Sequence, residues 1–261
     1  MLIAVIPARG ASKGIPNKNL RQIGGRSLVQ IAADFALSCL NINKVIVSTD
    51  SISIAHEFLS KSKSELFENL LEGKSLNVSS KLFLHKRRHE QARDSAKTVD
   101  TVIDIIKSEE LQECDWILLL QPTSPFRDIS ELDQIIQLAT SKQVDACVSA
   151  RLFDSPHPEK AFTLESNMLL DASKYQNLLR PRQDLGQYYV LDGSFYLSKV
   201  SSVIGNQSLI SRSTAVFLRS GIKTINIDNQ EDLEIASSVA PWFAPSFSRS
   251  KEIDYTQSET D

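Results

Sequence analysis

Between Arg9 and Asn19 the chain sets three cations, Arg9, Lys13 and Lys18, among two glycines, Gly10 and Gly14, and the polar side chains of Ser12 and Asn19. Each residue type has a use there. Glycines let backbone approach a ligand closely and take conformations closed to other residues. Free N–H groups of such a turn form a nest for an anion, and the cations supply charge. The apolar run from Leu2 to Ile6 directly before it reads as a strand buried on both faces. A strand leading into a glycine-hinged, cationic loop is an arrangement for handling phosphate. The spacing is neither GxxxxGK[ST] nor GxGxxG, because Gly10 and Gly14 have no third glycine in register.

A second string, Gln121-Pro122-Thr123-Ser124-Pro125-Phe126-Arg127, follows the most apolar run of the chain, Trp116 to Leu120, which reads as a central strand. Prolines hold backbone in a rigid, extended course and remove donors. The Gln121 amide can both donate and accept, as a pyrimidine edge demands, and the Thr123 and Ser124 hydroxyls suit a sugar or a base.

The elements between these strings alternate strand and helix: Ser27–Leu40 as a helix capped by Ser27, Val45–Val47 as a strand ending in Ser48-Thr49-Asp50, and Ile52–Leu59 as a short helix. Lys81–Leu84 (strand), Thr98–Ile106 (helix), Ile129–Ala139 (helix) and Ala146–Ser149 (strand) continue the pattern. It predicts an α/β fold, a mainly parallel Rossmann-like sheet with helices on both faces, whose ligands bind beyond the carboxyl ends of the strands. Beyond Arg151 the pattern shortens, to small strands at Phe162–Leu164 and Met168–Leu170 and a longer one at Tyr188–Leu197 interrupted at Asp192-Gly193. Lys223–Ile227 reads as a last strand and Asp232–Val239 as a last helix. The polar tail after Pro245 reads as disordered.

A length of 261 residues with 41% apolar side chains is enough for a substantial core. The net charge of −3 gives no bulk basic field for nucleic acid or an acidic membrane, so local cations must account for anion binding. No apolar stretch approaches the roughly 20 residues that span a bilayer, and no signal peptide is apparent, which makes a cytoplasmic protein the expectation. Cys39, Cys114 and Cys147 are far apart and flanked by apolar residues, so they read as reduced, buried thiols.

The string R-G-x-S-K-G-x-P-x-K-N, together with L-L-Q-P-T-S-P-x-R, resembles the signatures of the acylneuraminate cytidylyltransferases, the CMP-sialic acid synthetases. The likeness extends over roughly residues 1–239. It implies that Arg9, Lys13 and Lys18 neutralise the triphosphate of CTP within a loop that includes Ala8, Gly10, Ser12, Gly14 and Asn19. It also implies that Gln121, Pro122, Thr123 and Ser124 form the wall for cytosine and ribose. Arg87 falls at the family's arginine before a segment here written Glu90-Gln91-Ala92-Arg93-Asp94-Ser95-Ala96, with Arg88 where proline is usual. It would be a nucleotide-site cation, and Ser95 or Thr98 would offer a hydroxyl near the ribose.

His157-Pro158-x-Lys160 resembles the family's H-P-x-K, and Pro181-Arg182-Gln183 its P-R-Q, in a segment used for dimerisation and for recognising the sugar acid. Lys160 and Arg182 would pair with the acid's carboxylate, with Gln183, Tyr189, Asp192 and Phe195 completing the sugar-acid set. Asp192 replaces the family's asparagine, and Val190 an arginine of some bacterial members. Asn226-Ile227-Asp228 stands where D-I-D holds magnesium, so Asp228, with Asn226 as a neutral partner, would hold Mg²⁺ (or Mn²⁺).

The domain organisation implied is a nucleotide-binding core over 1–150 and 214–240, a dimerisation and sugar-acid extension over 151–213, and a tail over 241–261. The substrates implied are CTP and a 2-keto-3-deoxy sugar acid resembling sialic acid. The same chemistry on 3-deoxy-octulosonate, legionaminate or pseudaminate is the alternative, as is a nucleotide-binding homologue that has lost catalysis. Residues 60–80 read as an insertion between the second helix and the third strand, either a surface elaboration or a flap over the site.

Overall fold

Ala4 and Ile6 of the first strand point into one apolar cluster and Ile3 and Val5 into another. Alternate side chains leave opposite faces of a strand, so an unbroken apolar run means a strand covered on both sides. This strand, β1 (Leu2–Pro7), lies near the middle of an eight-stranded sheet. The computed structural model describes residues 1–243 except 13, 154, 167 and 170–174. Lys13 and the tail expected to be disordered after Pro245 therefore lie outside the described residues.

A small hairpin of β2 (Gln22–Ile23) and β3 (Arg26–Ser27) leads into α1 (Leu28–Ser38), whose capping Ser27 accepts from the Gln30 N–H. There follow β4 (Lys44–Thr49), the single turn α2 (Ile52–Ala55), α3 (Lys61–Glu68), β5 (Ser75–Asn77), β6 (Leu82–Lys86), α4 (Thr98–Ser108) and β7 (Trp116–Leu119). After these come α5 (Ile129–Ser141), β8 (Ala146–Leu152), the short hairpin β9 (Leu164–Glu165) and β10 (Met168–Leu169), and α6 (Tyr175–Leu179). The chain closes with β11 (Tyr189–Lys199), α7 (Val200–Asn206), β12 (Thr214–Arg219) and α8 (Gln230–Val239). The strand order is β12-β8-β11-β7-β1-β4-β6-β5. β11 runs antiparallel to both its neighbours and β5 antiparallel to β6; the other pairings are parallel. Helices α1 and α5 cover one face, α4 and α7 the other, so the α/β sheet expected from the alternation is present.

Four expectations need revision. Lys223–Ile227 is no strand: Gly221–Thr224 makes a 3₁₀ turn. The last strand is β12, whose exposed Val216 and Leu218 alternate with inward-facing residues on an edge beside β8. β11, expected inside the extension, runs through the middle of the main sheet and breaks register between Leu191 and Tyr196, around Asp192-Gly193. Cys39 and Cys147 are buried, and burial pushes their thiols up to about 12 and about 11; Cys114, between Glu113 and Asp115, is exposed instead. The core also reaches past residue 240, because Phe243 stacks on Phe126 with ring centroids 4.5 Å apart. Among the described residues no helix is long and apolar enough to cross a membrane.

The insertion is built into the sheet and is not a flap. Phe67 and Val78 are buried in the main cluster. β5 adds an eighth strand, and Gly73, at φ +78°, donates its N–H to the Lys86 carbonyl at 2.7 Å. Lys86 Nζ donates to the Glu68 carbonyl, and the His89 N–H to Glu72 Oε2 at 3.1 Å. The insertion thus grips the end of β6 on both sides of Arg87. Phe67→Ala is expected to lower unfolding stability by about 3–5 kcal/mol in urea titration; a loss below about 1 kcal/mol would mean that the segment is a detachable surface feature.

Candidate active site

The loop after β1 is fastened at both ends and in its middle. Ala8 N donates to the Ser48 carbonyl at 2.9 Å, and Gly10 N to Asp50 Oδ1 at 2.9 Å. The amide of Gly10, expected to be free for an anion, is thus engaged by a carboxylate. Ser12 Oγ donates to the Ile15 carbonyl and accepts from the Lys18 N–H. The Asn19 amide, largely buried, donates to the Arg9 carbonyl at 2.9 Å. Ser12 and Asn19, expected to touch nucleotide, hold the loop's own shape through these bonds. The glycines serve close approach: a Cβ on Gly10 would lie 2.8 Å from Ser51 Cβ, and one on Gly14 would lie 2.3 Å from the Asp228 carbonyl oxygen.

Gly14 brings the loop against the segment 226–228, far away in sequence. Lys18 Nζ donates to the Ile227 carbonyl at 2.9 Å and lies 3.2 Å from Asp228 Oδ1. Ile15 and Ile227 are both buried in one cluster with Phe126 and Leu233 of α8. The same segment meets the wall, since Ile227 N donates to the Thr123 carbonyl at 2.8 Å and Ser124 Oγ is 3.2 Å from Asn226 Oδ1. Gly193, at φ +77°, closes the junction. A Cβ there would come within 2.6 Å of Gln121 Oε1 and 2.8 Å of Ser124 Oγ. The loop, the Gln121–Ser124 wall, Gly193 and Asp228 therefore converge at the carboxyl end of the sheet, where an open parallel sheet binds ligands.

Arg87 follows β6 at the same edge. It is buried, donates from Nη2 to the Ser48 carbonyl at 3.0 Å and from Nε to Ser48 Oγ at 3.3 Å, and feels Asp50 and Arg9. Burial lowers its pKa to about 10, against the pull of Asp50, so it stays charged at neutral pH. Arg9 reaches Asp94 at 2.8 Å, next to the exposed Ser95 in sequence; Thr98, at the start of α4, is exposed too.

Two expected sugar contacts are buried instead. Phe195 is wholly enclosed in the core, edge-on to Phe35, because its strand is covered on both faces there. Asp192 is equally enclosed: its carboxylate takes Arg219 Nη1 at 2.8 Å, the Ser149 hydroxyl and the Ser194 N–H. Arg182 and Gln183 lie elsewhere. β12 follows β8 as far as Arg151, and only the Leu152–Tyr189 pair of β8 and β11 lies beyond it; at this end Arg182 and Gln183 line a groove of about 480 Å³ with Leu152, Phe153, His157 and Tyr188. Lys160 is half-buried in the 3₁₀ turn after His157, and the Tyr189 hydroxyl is exposed and bonded to Gln187.

Sequence reasoning gave no role to the buried polar groups behind the wall. Arg127 donates to the carbonyls of Gln121 at 2.6 Å and Ser194 at 2.9 Å. Arg219 bonds Asp192, Glu131 at 2.9 Å and the Phe126 carbonyl at 2.7 Å. Phe195 lies between the two guanidiniums, 5.9 Å and 5.4 Å away. A signal was present in the arginine that ends the proline string, but Arg219 sits in a segment not read as a strand. Asn226, expected at the metal, uses its amide on both neighbours, Ser124 and Asp228 Oδ2. Among the described residues no three His, Cys, Asp or Glu side chains cluster to hold a metal alone. The exposed Asp228 carboxylate still fits Mg²⁺ held by one carboxylate with phosphate and water oxygens.

A cationic loop packed closely at its glycines, the Gln121–Ser124 wall and the Asp228 carboxylate meet at the carboxyl edge of a mixed α/β sheet, the arrangement of a nucleotidyltransferase-type fold. A cytidylyltransferase family model matches residues 3–62. The CMP-N,N'-diacetyllegionaminic acid synthase of Legionella pneumophila is 30% identical over 244 residues, 88% of this chain and 92% of that one. The chain belongs to the acylneuraminate cytidylyltransferase family. The pseudaminic acid cytidylyltransferase of Campylobacter jejuni is 25% identical across 90% of this chain and 94% of its own. The N-acylneuraminate cytidylyltransferase of Escherichia coli is 26% identical, and the chain spans about half (52%) of its length. A solved CMP:2-keto-3-deoxy-manno-octonic acid synthetase complexed with CTP shares the fold, with a TM-score of 0.59 at 15% identity over 93% of this chain and 99% of that one.

Two measurements test the buried groups. Arg219→Met leaves Asp192 without its ion-pair partner and Glu131 with only Lys223 at 3.7 Å, and is expected to cost about 3–5 kcal/mol of unfolding free energy, with part of the loss recovered when Asp192→Asn is added. His85, at 0% exposure between β4 and α4, has its pKa pushed down by burial to about 4, against the pull of Asp104. Its neutral form is favoured in the fold, so stability is full above the ordinary histidine range near 6.5 and falls as pH drops from there toward 4. Between pH 7.5 and 5 the native protein should lose about 2 kcal/mol more than His85→Asn does in urea unfolding; equal losses would refute it.

Proposed function

We propose that this protein transfers a cytidylyl group from CTP to a sialic-acid-like 2-keto-3-deoxy sugar acid, giving a CMP-sugar and pyrophosphate. The observation that carries this reading is the junction of the cationic loop with the Gln121–Ser124 wall through Lys18, Asp228, Ile227 and Thr123. Named relatives acting on legionaminic, pseudaminic and N-acylneuraminic acids support it.

In the reaction the anomeric hydroxyl oxygen bonds to the α-phosphorus and gives up its proton to water, the bond from that phosphorus to the bridging oxygen breaks, and pyrophosphate leaves with its electron pair. Such transfers depend on alignment and charge neutralisation. Arg9, Lys13, Lys18 and Arg87 neutralise the triphosphate. Arg9 exchanges its Asp94 partner for phosphate. Gln121 reads the base edge, and Thr123, Ser95 or Thr98 meets the ribose. Asp228, with Asn226 beside it, would hold Mg²⁺, which would supply charge to screen the phosphates.

Lys160, Arg182 and Gln183, in the 3₁₀ turns beside the ends of β8 and β11, take the carboxylate and hydroxyls of the acceptor. Exposed apolar residues on one face, Leu152, Leu191, Val216 and Leu218, support a homodimer through this side of the sheet. The core over 1–150 and 214–240 carries the nucleotide, and the turns within 151–213 carry the acceptor.

The test is pyrophosphate release from CTP and Mg²⁺ with a panel of nine-carbon and eight-carbon 2-keto-3-deoxy acids. Release with at least one acid is expected, and Lys18→Ala should lower it more than about a hundredfold while leaving the thermal transition in place. CTP binding without release for any acid would leave a nucleotide-binding protein, and near-normal turnover of Lys18→Ala would remove that lysine from the site.

A further inference from the structure

Behind Arg87 lies a row of buried groups that the transfer reaction does not use. Ser48 and His85 are both at 0% exposure and face each other in register on β4 and β6. Ser48 Oγ is 3.0 Å from His85 Nδ1, and Arg87 Nε is 3.3 Å from Ser48 Oγ. On its far side His85 Nε2 lies 3.5 Å from Asp104 Oδ2, and Asp104 Oδ1 accepts from Arg88 Nε at 2.9 Å. Asp104, Arg87, Glu109 and Arg88 are the charged groups around this imidazole.

We propose that Ser48 and His85 are positioning residues for Arg87, linked in a hydrogen-bond chain that runs one way from the nucleotide-site guanidinium to the His85 imidazole, whose far nitrogen faces the Asp104 carboxylate at 3.5 Å without a hydrogen bond. The inference rests on the reading of Arg87 as a cation that meets CTP. The directions are fixed by chemistry. A guanidinium only donates, so Ser48 Oγ accepts from Arg87 Nε. The hydroxyl hydrogen is then available to a neutral Nδ1, which leaves the imidazole proton on Nε2, facing Asp104. His85 is neutral at physiological pH, because burial holds its pKa near 4. Each bond polarises the next in the same sense, which strengthens the hold on the arginine. With Nε on Ser48 Oγ and Nη2 on the Ser48 carbonyl, the plane of the guanidinium is set by one residue.

The experiment is calorimetric titration of the full chain with CTP, with steady-state kinetics on the acceptor that the panel identifies. Ser48→Ala, which removes one hydroxyl and leaves the backbone carbonyl, is expected to weaken CTP about tenfold, with the change falling on KM for CTP rather than on kcat. His85→Asn, whose side-chain oxygen can stand in for Nδ1, should keep most of the affinity, whereas His85→Leu should not. In an Arg87→Met background Ser48→Ala should change CTP affinity by less than about twofold, because its route to the ligand is gone. An unchanged affinity for Ser48→Ala would overturn the proposal, since a chain that only ties β4 to β6 alters stability alone. A tenfold loss that persists with Arg87→Met would overturn it too. Wild-type affinity in Arg87→Met would remove both Arg87 and the chain behind it from the nucleotide site, and pyrophosphate release would show separately whether the cytidylyltransferase reading stands.

Discussion

The arrangement depends on a neutral knot of charge buried behind the nucleotide wall. Arg219 on β12 and Arg127 at the end of the wall are set against Asp192 on β11 and Glu131 on α5. A lone guanidinium at this depth would face a desolvation penalty of several kcal/mol; two cations and two carboxylates with further backbone acceptors offset it. The knot has a geometric consequence. Asp192 is fixed by Arg219, Ser149 and the Ser194 N–H, so Gly193 is held at its positive φ beneath Gln121 and Ser124. Arg127 holds the Gln121 carbonyl from behind. The position of the wall is therefore set by residues that no ligand touches.

The cost of such a knot helps to explain the break in β11. A regular strand would send the side chains at 192 and 193 to opposite faces in step with β8. The register shift between Leu191 and Tyr196 turns the Asp192 carboxylate inward onto Arg219, while the glycine lets wall side chains approach to a distance that any Cβ would block. The aspartate at 192, where the family has asparagine, is matched by a buried arginine partner.

Much of this was legible in the residues. The unbroken apolar runs of β1 and β7 predict strands covered on both faces, and the interleaved glycines and cations after β1 predict a loop pressed close to something anionic. The Asp192-Gly193 interruption was visible as a break in alternation. β12 was missed because Thr214–Arg219 alternates as an edge strand does, with Val216 and Leu218 exposed, and carries an arginine at its end. Lys223–Ile227 looked like a strand because Ile225 and Ile227 alternate, but they pack against Phe126 and α8 as a loop, guided by the contact of Ile227 with Thr123. The roles of Ser12, Asn19, Asp192 and Asn226 could not be read at all from side-chain type. A hydroxyl or amide that suits a ligand suits a neighbouring backbone group equally well, and only the fold decides between them.

The sheet edge and the groove differ in how firmly they are built. The sheet edge rests on the buried knot and on the insertion that grips β6 around Arg87. The groove lies beside the ends of β8 and β11, where residues 180–184 and 186–189 are exposed, and it is closed by few buried side chains. A change in a groove residue such as Gln183 disturbs no core contact, whereas a change at Gly14, Gly193 or Arg219 shifts the wall or the loop. Substitution should therefore be tolerated in the groove and resisted at the sheet edge. The relatives named for legionaminic, pseudaminic and N-acylneuraminic acids differ in the acid that their names print and agree in the CMP or cytidylyl group.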